Sequence, residues 1–185
     1  MAFGDNRSEI LVVDHDSAAL LRIDVNTGDR EVIIDAFAGG YPPVEPMRLA
    51  YDKDNRILYW SELEAGVAVV RSVHLDWETP VGLALTGNAG DYAGPELEGL
   101  SQGIAMTDKG RLLYLDSVND SVVEVDLSTG DKRLVASSVS GSGASTTVSS
   151  RALEYAPEWE AALVMAEGHV YIVDLESGAK VTLPD

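Results

Sequence analysis

The sequence contains no cysteine among its 185 residues, and positive charge is scarce. Without cysteine, the chain has no disulfide, thiolate nucleophile or cysteine-based zinc site. Thirteen basic against 31 acidic residues give a formal net charge of −18, which disfavours nucleic acid and anionic membranes as partners. No apolar run is long enough to span a bilayer, and residues 1–5 do not resemble a signal peptide. The sequence does not indicate a cellular compartment. A periplasmic or extracellular location stays open if the chain is a piece of an exported protein.

An internal repeat is the main feature that the chain does contain. A short apolar strand pattern occurs four times, at residues 10–14, 57–61, 112–116 and 162–166. A second strand with alternating apolar and polar residues follows each copy. Its apolar pair recurs at intervals of about 50 residues, as Ile23/Val25, Val73/Leu75, Val125/Leu127 and Val173/Leu175. This alternation predicts strands with one face directed inward.

Turn signals and two further strands complete each repeat. The sequence reads Asn-Thr-Gly-Asp at 26–29, Ser-Thr-Gly-Asp at 128–131 and Glu-Ser-Gly-Ala at 176–179, which is typical of tight hairpins. Four-stranded units at this period predict an all-β fold, a β-propeller built from four antiparallel blades; a β-sandwich is the alternative. We expect one propeller-type domain over 1–185, with repeats at approximately 1–46, 47–100, 101–150 and 151–185.

Two segments carry a family likeness. Residues 101–117 and 122–130 resemble blades of NHL-repeat and SMP-30/gluconolactonase-like propellers, and residues 57–62 (Ile-Leu-Tyr-Trp-Ser-Glu) are similar to YWTD blades. Those relatives usually have six blades. The resemblance therefore leaves three arrangements open: a four-blade ring, part of a larger ring, or half-rings that pair. Because an unclosed blade array leaves an apolar flank, we expect either closure or self-association.

The resemblance also implies where a catalytic metal would lie. In the gluconolactonase-like enzymes some axial metal ligands directly precede the glycine of the inner-strand motif, and the matching axial positions here are Met47, Gln102 and Arg151. Methionine and arginine do not suit a hard cation. The sequence therefore predicts no catalytic residues, no metal site and no cofactor, with calcium as a weak alternative.

The loop face of the blades offers the candidate ligand-binding residues. Two long loops between repeats each pair a tyrosine with a carboxylate: Tyr41 with Glu45, and Tyr92 with Glu96. Three residues that follow the apolar strands form a second group: His15, Asp16 and Glu62. Long loops are often functional, although Asp and Asn in such places also serve ordinary turns.

Three functional hypotheses follow. The first is a non-catalytic binding or assembly module whose loop face contacts a small polar ligand or a protein partner. The second is a metal-dependent lactonase of the gluconolactonase kind. The third is a purely structural set of blades that self-associates to close a ring.

Overall fold

A computed structural model describes residues 1–4, 8–37, 40–77, 82–86, 93–98, 101–138, 142–143, 150–166 and 168–183. Within these ranges the chain forms sixteen strands and one three-residue 3-10 helix, Pro157–Trp159. It divides into two compact units, unit 1 (Met1–Gly87) and unit 2 (Asn88–Asp185). Unit 1 contains the strands of the first two repeats, and unit 2 contains those of the last two.

Each repeat forms one four-stranded antiparallel sheet, which confirms the predicted blades. In every blade the strands pair in chain order. Blade 1 contains β1 (Ala2–Phe3), β2 (Glu9–Asp14), β3 (Ala19–Asp24) and β4 (Arg30–Ile34). Blade 2 contains β5 (Pro46–Asp52), β6 (Ile57–Glu64), β7 (Val67–His74) and β8 (Leu83–Thr86). Blade 3 contains β9 (Ser101–Met106), β10 (Arg111–Asp116), β11 (Ser121–Asp126) and β12 (Lys132–Ser137). Blade 4 contains β13 (Ser150–Ala156), β14 (Ala161–Ala166), β15 (His169–Asp174) and β16 (Lys180–Thr182).

Adjacent blades within each unit pack face to face. In unit 1, Leu11 and Leu20 of blade 1 share an apolar cluster with Trp60 of blade 2, and all three side chains are fully buried. In unit 2, Leu115 of blade 3 and Val164 of blade 4 belong to the equivalent cluster. Two sheet faces directed at one another remove apolar side chains from water, which is the main stabilising contribution to such an arrangement.

The hairpins between the third and fourth strands use an aspartate that ends the third strand. In blade 1 the Asp24 carboxylate accepts hydrogen bonds from the backbone N–H groups of Asn26 (2.7 Å) and Thr27 (3.1 Å), and the Gly28 N–H donates to the Asp24 carbonyl. Asp126 and Asp174 do the same in blades 3 and 4. This side-chain bond to the backbone explains why the predicted turn signature follows an aspartate.

The loops between blades pair with the blade that follows them. In unit 1, Gly40 lies parallel to Gly82, and the Tyr41 N–H donates to the Gly82 carbonyl at 2.8 Å. In unit 2, the Lys132 N–H donates to the carbonyl of Ala93 at 2.8 Å, and Lys180 pairs in the same way with the segment 142–143. The first and third loops therefore each add a parallel bridge near the start of the outer strand of the next blade, and the second loop adds a backbone hydrogen bond there.

Candidate functional site

Each blade has two edges, which we name from the connections they carry. The loop edge carries the inter-blade loops and the turns between second and third strands, and the turn edge carries the other two turns. The predicted ligand residues lie on the loop edges of their own units, and all five are exposed: Tyr41, Glu45, His15 and Asp16 in unit 1, and Glu96 in unit 2. Tyr92 lies outside the described residues. The prediction that these residues contact a ligand stays a prediction.

Glu62 differs from the other predicted residues because it lies inside a strand and is buried. Strand β6 continues to Glu64, beyond the end expected from the sequence. The Glu62 carboxylate accepts hydrogen bonds from the indole Nε1 of Trp60 (2.8 Å), from the Nε of Arg71, and from the backbone N–H of Val44 (3.2 Å). These three donors hold an ionised carboxylate away from water. In this arrangement Glu62 fixes the first inter-blade loop to blade 2.

Tyr41 belongs to the same network through its ring. The guanidinium carbon of Arg71 lies 4.6 Å from the centroid of the Tyr41 ring, which is a cation–π contact. Arg71 also donates from Nη2 to Glu64 at 2.7 Å. Tyr41 is 48% exposed, so its ring contacts a buried arginine while much of the residue remains accessible.

A carboxylate in blade 3 repeats part of this arrangement. Asp116 is buried at the end of β10 and accepts a hydrogen bond from the backbone N–H of Glu98 at 3.0 Å. Asp116 follows Glu98 by 18 residues, as Glu62 follows Val44. The repeated spacing is the sequence signal by which the anchoring role of both carboxylates could have been found.

His15 and Asp16 line a shallow depression on blade 1 with a volume of about 390 Å³. Its floor is formed by apolar side chains of β2 and β3, among them Val12 and Ile23. The neighbouring Asp14 accepts hydrogen bonds from Ser17, which lower the pKa of the Asp14 carboxyl. The depression therefore combines an apolar floor with an exposed histidine and carboxylate at its rim.

The predicted axial positions lie at the inner strands. Met47 is half-buried in β5, and Gln102 is half-buried in β9, where it has a polar partner. Arg151 belongs to β13, but its side chain lies outside what the structure describes. Within the described ranges, no group of three or more His, Cys, Asp or Glu side chains is placed to hold a metal ion.

A polar cavity lies at the turn edge of unit 2, where the sequence predicts no site. It has a volume of about 580 Å³ and opens between blades 3 and 4. At its rim, Lys109 Nζ lies 2.7 Å from Glu160 Oε1, and this bond raises the pKa of Lys109. The Tyr155 hydroxyl donates to Asp108 at 2.7 Å; partial burial and this carboxylate raise the pKa of Tyr155 to about 12.

These sheets define the class of the protein: it is a β-propeller built from four-stranded blades. No protein-family model matches the chain, and no curated protein matches it significantly. Among the residues described, no helix combines the length and apolar character that crossing a membrane requires.

Solved propeller structures resemble the chain in fold. A chain of a nidogen–laminin complex has a TM-score of 0.70 at 15% identity; the match covers 99% of this chain and 63% of that one. TolB from Acinetobacter baumannii has a TM-score of 0.65 at 14% identity, covering 98% of this chain and 42% of that one. An inactive virginiamycin B lyase from Staphylococcus aureus, solved with quinupristin, has a TM-score of 0.65 at 12% identity, covering 99% of this chain and 54% of that one. The chain thus spans less than two thirds of each of these solved chains, and at such identities the likeness concerns the fold alone.

Proposed function

We propose that this protein is a non-catalytic propeller module that assembles with further copies of itself through the sheet faces of blades 1 and 4. The observation that carries this proposal is that both faces are apolar and partly exposed, although their counterparts inside the two units are buried. The loop edge of unit 1, with Tyr41 and Glu45, and that of unit 2, with Glu96, would each remain available for a small polar ligand or a protein partner.

The first of these surfaces is the leading face of blade 1, formed by Ile10, Val12, Leu21 and Ile23. Ile10 pairs with Ile23 and Val12 with Leu21, so the four side chains share one side of the sheet. All four are only half-buried. In blade 4 the corresponding side is buried against blade 3: for example, Val164 is 1% exposed.

The second surface is the trailing face of blade 4, formed by Leu163, Met165, Val170 and Ile172. Leu163 pairs with Ile172 and Met165 with Val170, which again places them on one side. Met165 is 46% exposed, and the other three are half-buried. On the corresponding side of blade 1, Leu20 is fully buried against blade 2.

The two faces therefore form a complementary pair. Inside each unit a trailing face packs against the leading face of the next blade. A second copy can continue the same arrangement by placing its blade 1 against blade 4 of the first copy. Such an interface is heterologous, because two different surfaces meet. Exposed apolar sheet faces of this kind mark association surfaces in soluble proteins.

Charge opposes this association and provides its first test. Two chains of net charge −18 repel one another, and added salt screens the repulsion. In sedimentation velocity, we expect the mean mass to rise with protein concentration. We also expect it to rise from about 0.05 M to about 0.5 M NaCl. A folded protein that remains monomeric across both ranges would overturn the proposal.

Single-face variants provide the second test. Val12→Lys blocks the leading face and Met165→Lys blocks the trailing face, so each variant alone should be monomeric. An equimolar mixture should form 1:1 dimers, because each variant retains the face that the other lacks. Val118→Lys is the matched control: Val118 is 60% exposed in a turn of blade 3 and should leave association unchanged. Failure of the mixture to associate, or undiminished self-association of either blocked variant, would refute the heterologous interface.

A further inference from the structure

The turn-edge cavity of unit 2 brings together three basic residues in a strongly acidic protein. Three of the thirteen basic residues of the chain line it: Lys109, Arg111 and Arg133. Blade 3 supplies these cations together with Glu124, and blade 4 supplies Tyr155, Glu160 and Glu176. We name this cavity the arginine cleft. Its volume of about 580 Å³ lies in the range of small-molecule sites.

Glu124 holds the two arginines of the cleft side by side. Its side chain is 7% exposed, and its Oε1 accepts hydrogen bonds from Arg111 Nη1 at 2.5 Å and from Arg133 Nη2 at 3.2 Å. Arg133 Nε also donates to this oxygen at 3.3 Å, and Arg133 Nη2 donates to the carbonyl of Leu175 at 2.9 Å. The buried carboxylate of Glu124 thus sets the positions of both guanidinium groups. The two positive charges of the arginines exceed the single negative charge of Glu124.

Both guanidinium groups keep donors for a ligand. The Arg111 side chain is 45% exposed and that of Arg133 is 48% exposed. A guanidinium carries five N–H donors, and among the described residues Arg111 uses one nitrogen and Arg133 uses two. Preorganised arginine donors at the wall of a cleft match the two oxygens of a carboxylate.

Unit 1 shows that the fold does not require these charges. The positions that correspond to Arg111, Glu124 and Arg133 are occupied in blade 1 by Glu9, Arg22 and Glu31, so the sign of each charge is reversed. The Arg22–Glu31 pair has an N···O distance of 3.0 Å. The same blade packing therefore accepts either charge order, and the pair of arginines is a specific property of unit 2.

We infer that the arginine cleft binds the carboxylate group of a small organic molecule, through Arg111 and Arg133. A carboxylate is favoured over a phosphate dianion because Glu124, Glu160 and Glu176 also line the cleft. Their charges offset those of the three cations, so a second negative charge on the ligand would be repelled. This site is independent of the proposed assembly, since neither Val12 nor Met165 lines it.

The test uses the whole protein and follows the arginine side chains directly. The Nε–H signals of Arg111 and Arg133 are monitored by ¹⁵N NMR during titration with sodium acetate, inorganic phosphate or, at matched ionic strength, sodium chloride. We expect saturable shifts with acetate, weaker binding of phosphate and no saturable shift with chloride. Absence of acetate saturation, equal shifts with chloride, or tighter binding of phosphate would overturn the inference.

Matched variants assign the binding to the two arginines. Arg111→Gln combined with Arg133→Gln should weaken acetate binding at least about tenfold. Glu9→Gln combined with Glu31→Gln alters the corresponding positions of unit 1 and should leave acetate binding unchanged. Arg133→Lys preserves the charge but removes the planar fork, and we expect acetate binding to weaken several-fold. Retention of wild-type affinity in the double arginine variant or in Arg133→Lys would contradict the assignment.

Discussion

Arg71 and Glu62 form an ion pair that is almost completely shielded from solvent, with side-chain exposures of 2% and 0%. They pack on the side of blade 2 that faces blade 1, next to the fully buried Trp60. Burial of two charges is costly unless every charge keeps its partners. The pair is therefore a point where removal of one group leaves the other uncompensated.

The first prediction compares the two glutamates that contact Arg71. Glu62→Gln removes the buried charge and should lower the free energy of unfolding by about 3 kcal/mol. Glu64→Gln removes a partner whose side chain is 52% exposed and should cost less than about 1 kcal/mol. Urea unfolding followed by the fluorescence of Trp60 and the other tryptophans measures both. Equal losses of unfolding free energy in the two variants would show that burial does not make the Glu62–Arg71 ion pair more stabilising than the exposed Glu64–Arg71 pair.

The second prediction concerns a loop glycine that lies against a neighbouring strand. A Cβ atom on Gly94 would lie 1.8 Å from the Lys132 carbonyl oxygen, and φ at Gly94 is +104°. Gly94→Ala should therefore cost about 3 kcal/mol or more, because both the contact and the backbone become strained. Gly110→Ala is the control, since Gly110 also has positive φ (+68°) but no atom within 4 Å of the added Cβ. Its cost should be about 1 kcal/mol, so similar melting temperatures for the two variants would argue against the close contact.

The third prediction concerns the histidine that replaces the turn aspartate in blade 2. His74 Nδ1 accepts a hydrogen bond from the Asp76 N–H at 3.2 Å, and the ring stacks on Trp77 with centroids 5.7 Å apart. An aspartate can accept the same bond, as Asp126 does from Ser128 in blade 3. His74→Asp should keep stability within about 0.5 kcal/mol, whereas His74→Leu should lose about 1 kcal/mol. Thermal unfolding of both variants checks this. A loss with leucine no larger than that with aspartate would mean that the hydrogen bond from Asp76 contributes nothing to stability.

The repeat period was sufficient to predict the blades, because each strand carries its own apolar pattern and each hairpin its own turn residues. In the sequence, Asp24, Asp126 and Asp174 are only the polar residues of the alternating strand, although each holds its turn through the backbone. Local bonds of this kind leave a local signal, here an aspartate four residues before the turn glycine. Such a signal is readable once the turn geometry is known.

Contacts between segments distant in sequence were not predictable in the same way. The apolar pattern at residues 57–61 predicts that the second strand of blade 2 ends at Ser61, whereas β6 and β7 form a longer hairpin of eight residues per strand. Glu62 therefore lies within the sheet and meets Val44 and Arg71. The arginine cleft has no sequence signal for a related reason: Arg111 and Arg133 are polar residues near strand ends, and only the packing of blade 4 on blade 3 completes a cavity around them.

The fourth prediction uses the buried phenol of Tyr59 to examine stability in alkali. Tyr59 is 5% exposed, and burial, with a smaller effect of the Asp52 charge, raises the pKa of its hydroxyl to about 12. An unfolded tyrosine loses its proton near pH 10, so between about pH 10 and pH 12 the unfolded state binds fewer protons than the folded state. The free energy of unfolding should therefore fall with rising pH across this window, by roughly 2–3 kcal/mol from Tyr59 alone at pH 12.

Tyr59→Phe isolates this contribution from others of either sign. Burial also raises the pKa of Tyr114, which lowers the free energy of unfolding in alkali as Tyr59 does. Burial lowers the pKa of Lys132 and Lys180, so the folded protein loses these protons at lower pH than the unfolded chain. The two lysines therefore make the free energy of unfolding rise with pH. Because both of these effects are present in the wild type and in the variant, they cancel in the difference between the two curves. Urea unfolding from about pH 8 to pH 12 should give curves that diverge only above about pH 10, where the variant becomes relatively more stable. Parallel curves over the whole range would mean that the Tyr59 hydroxyl ionises as readily in the folded protein as in the unfolded chain.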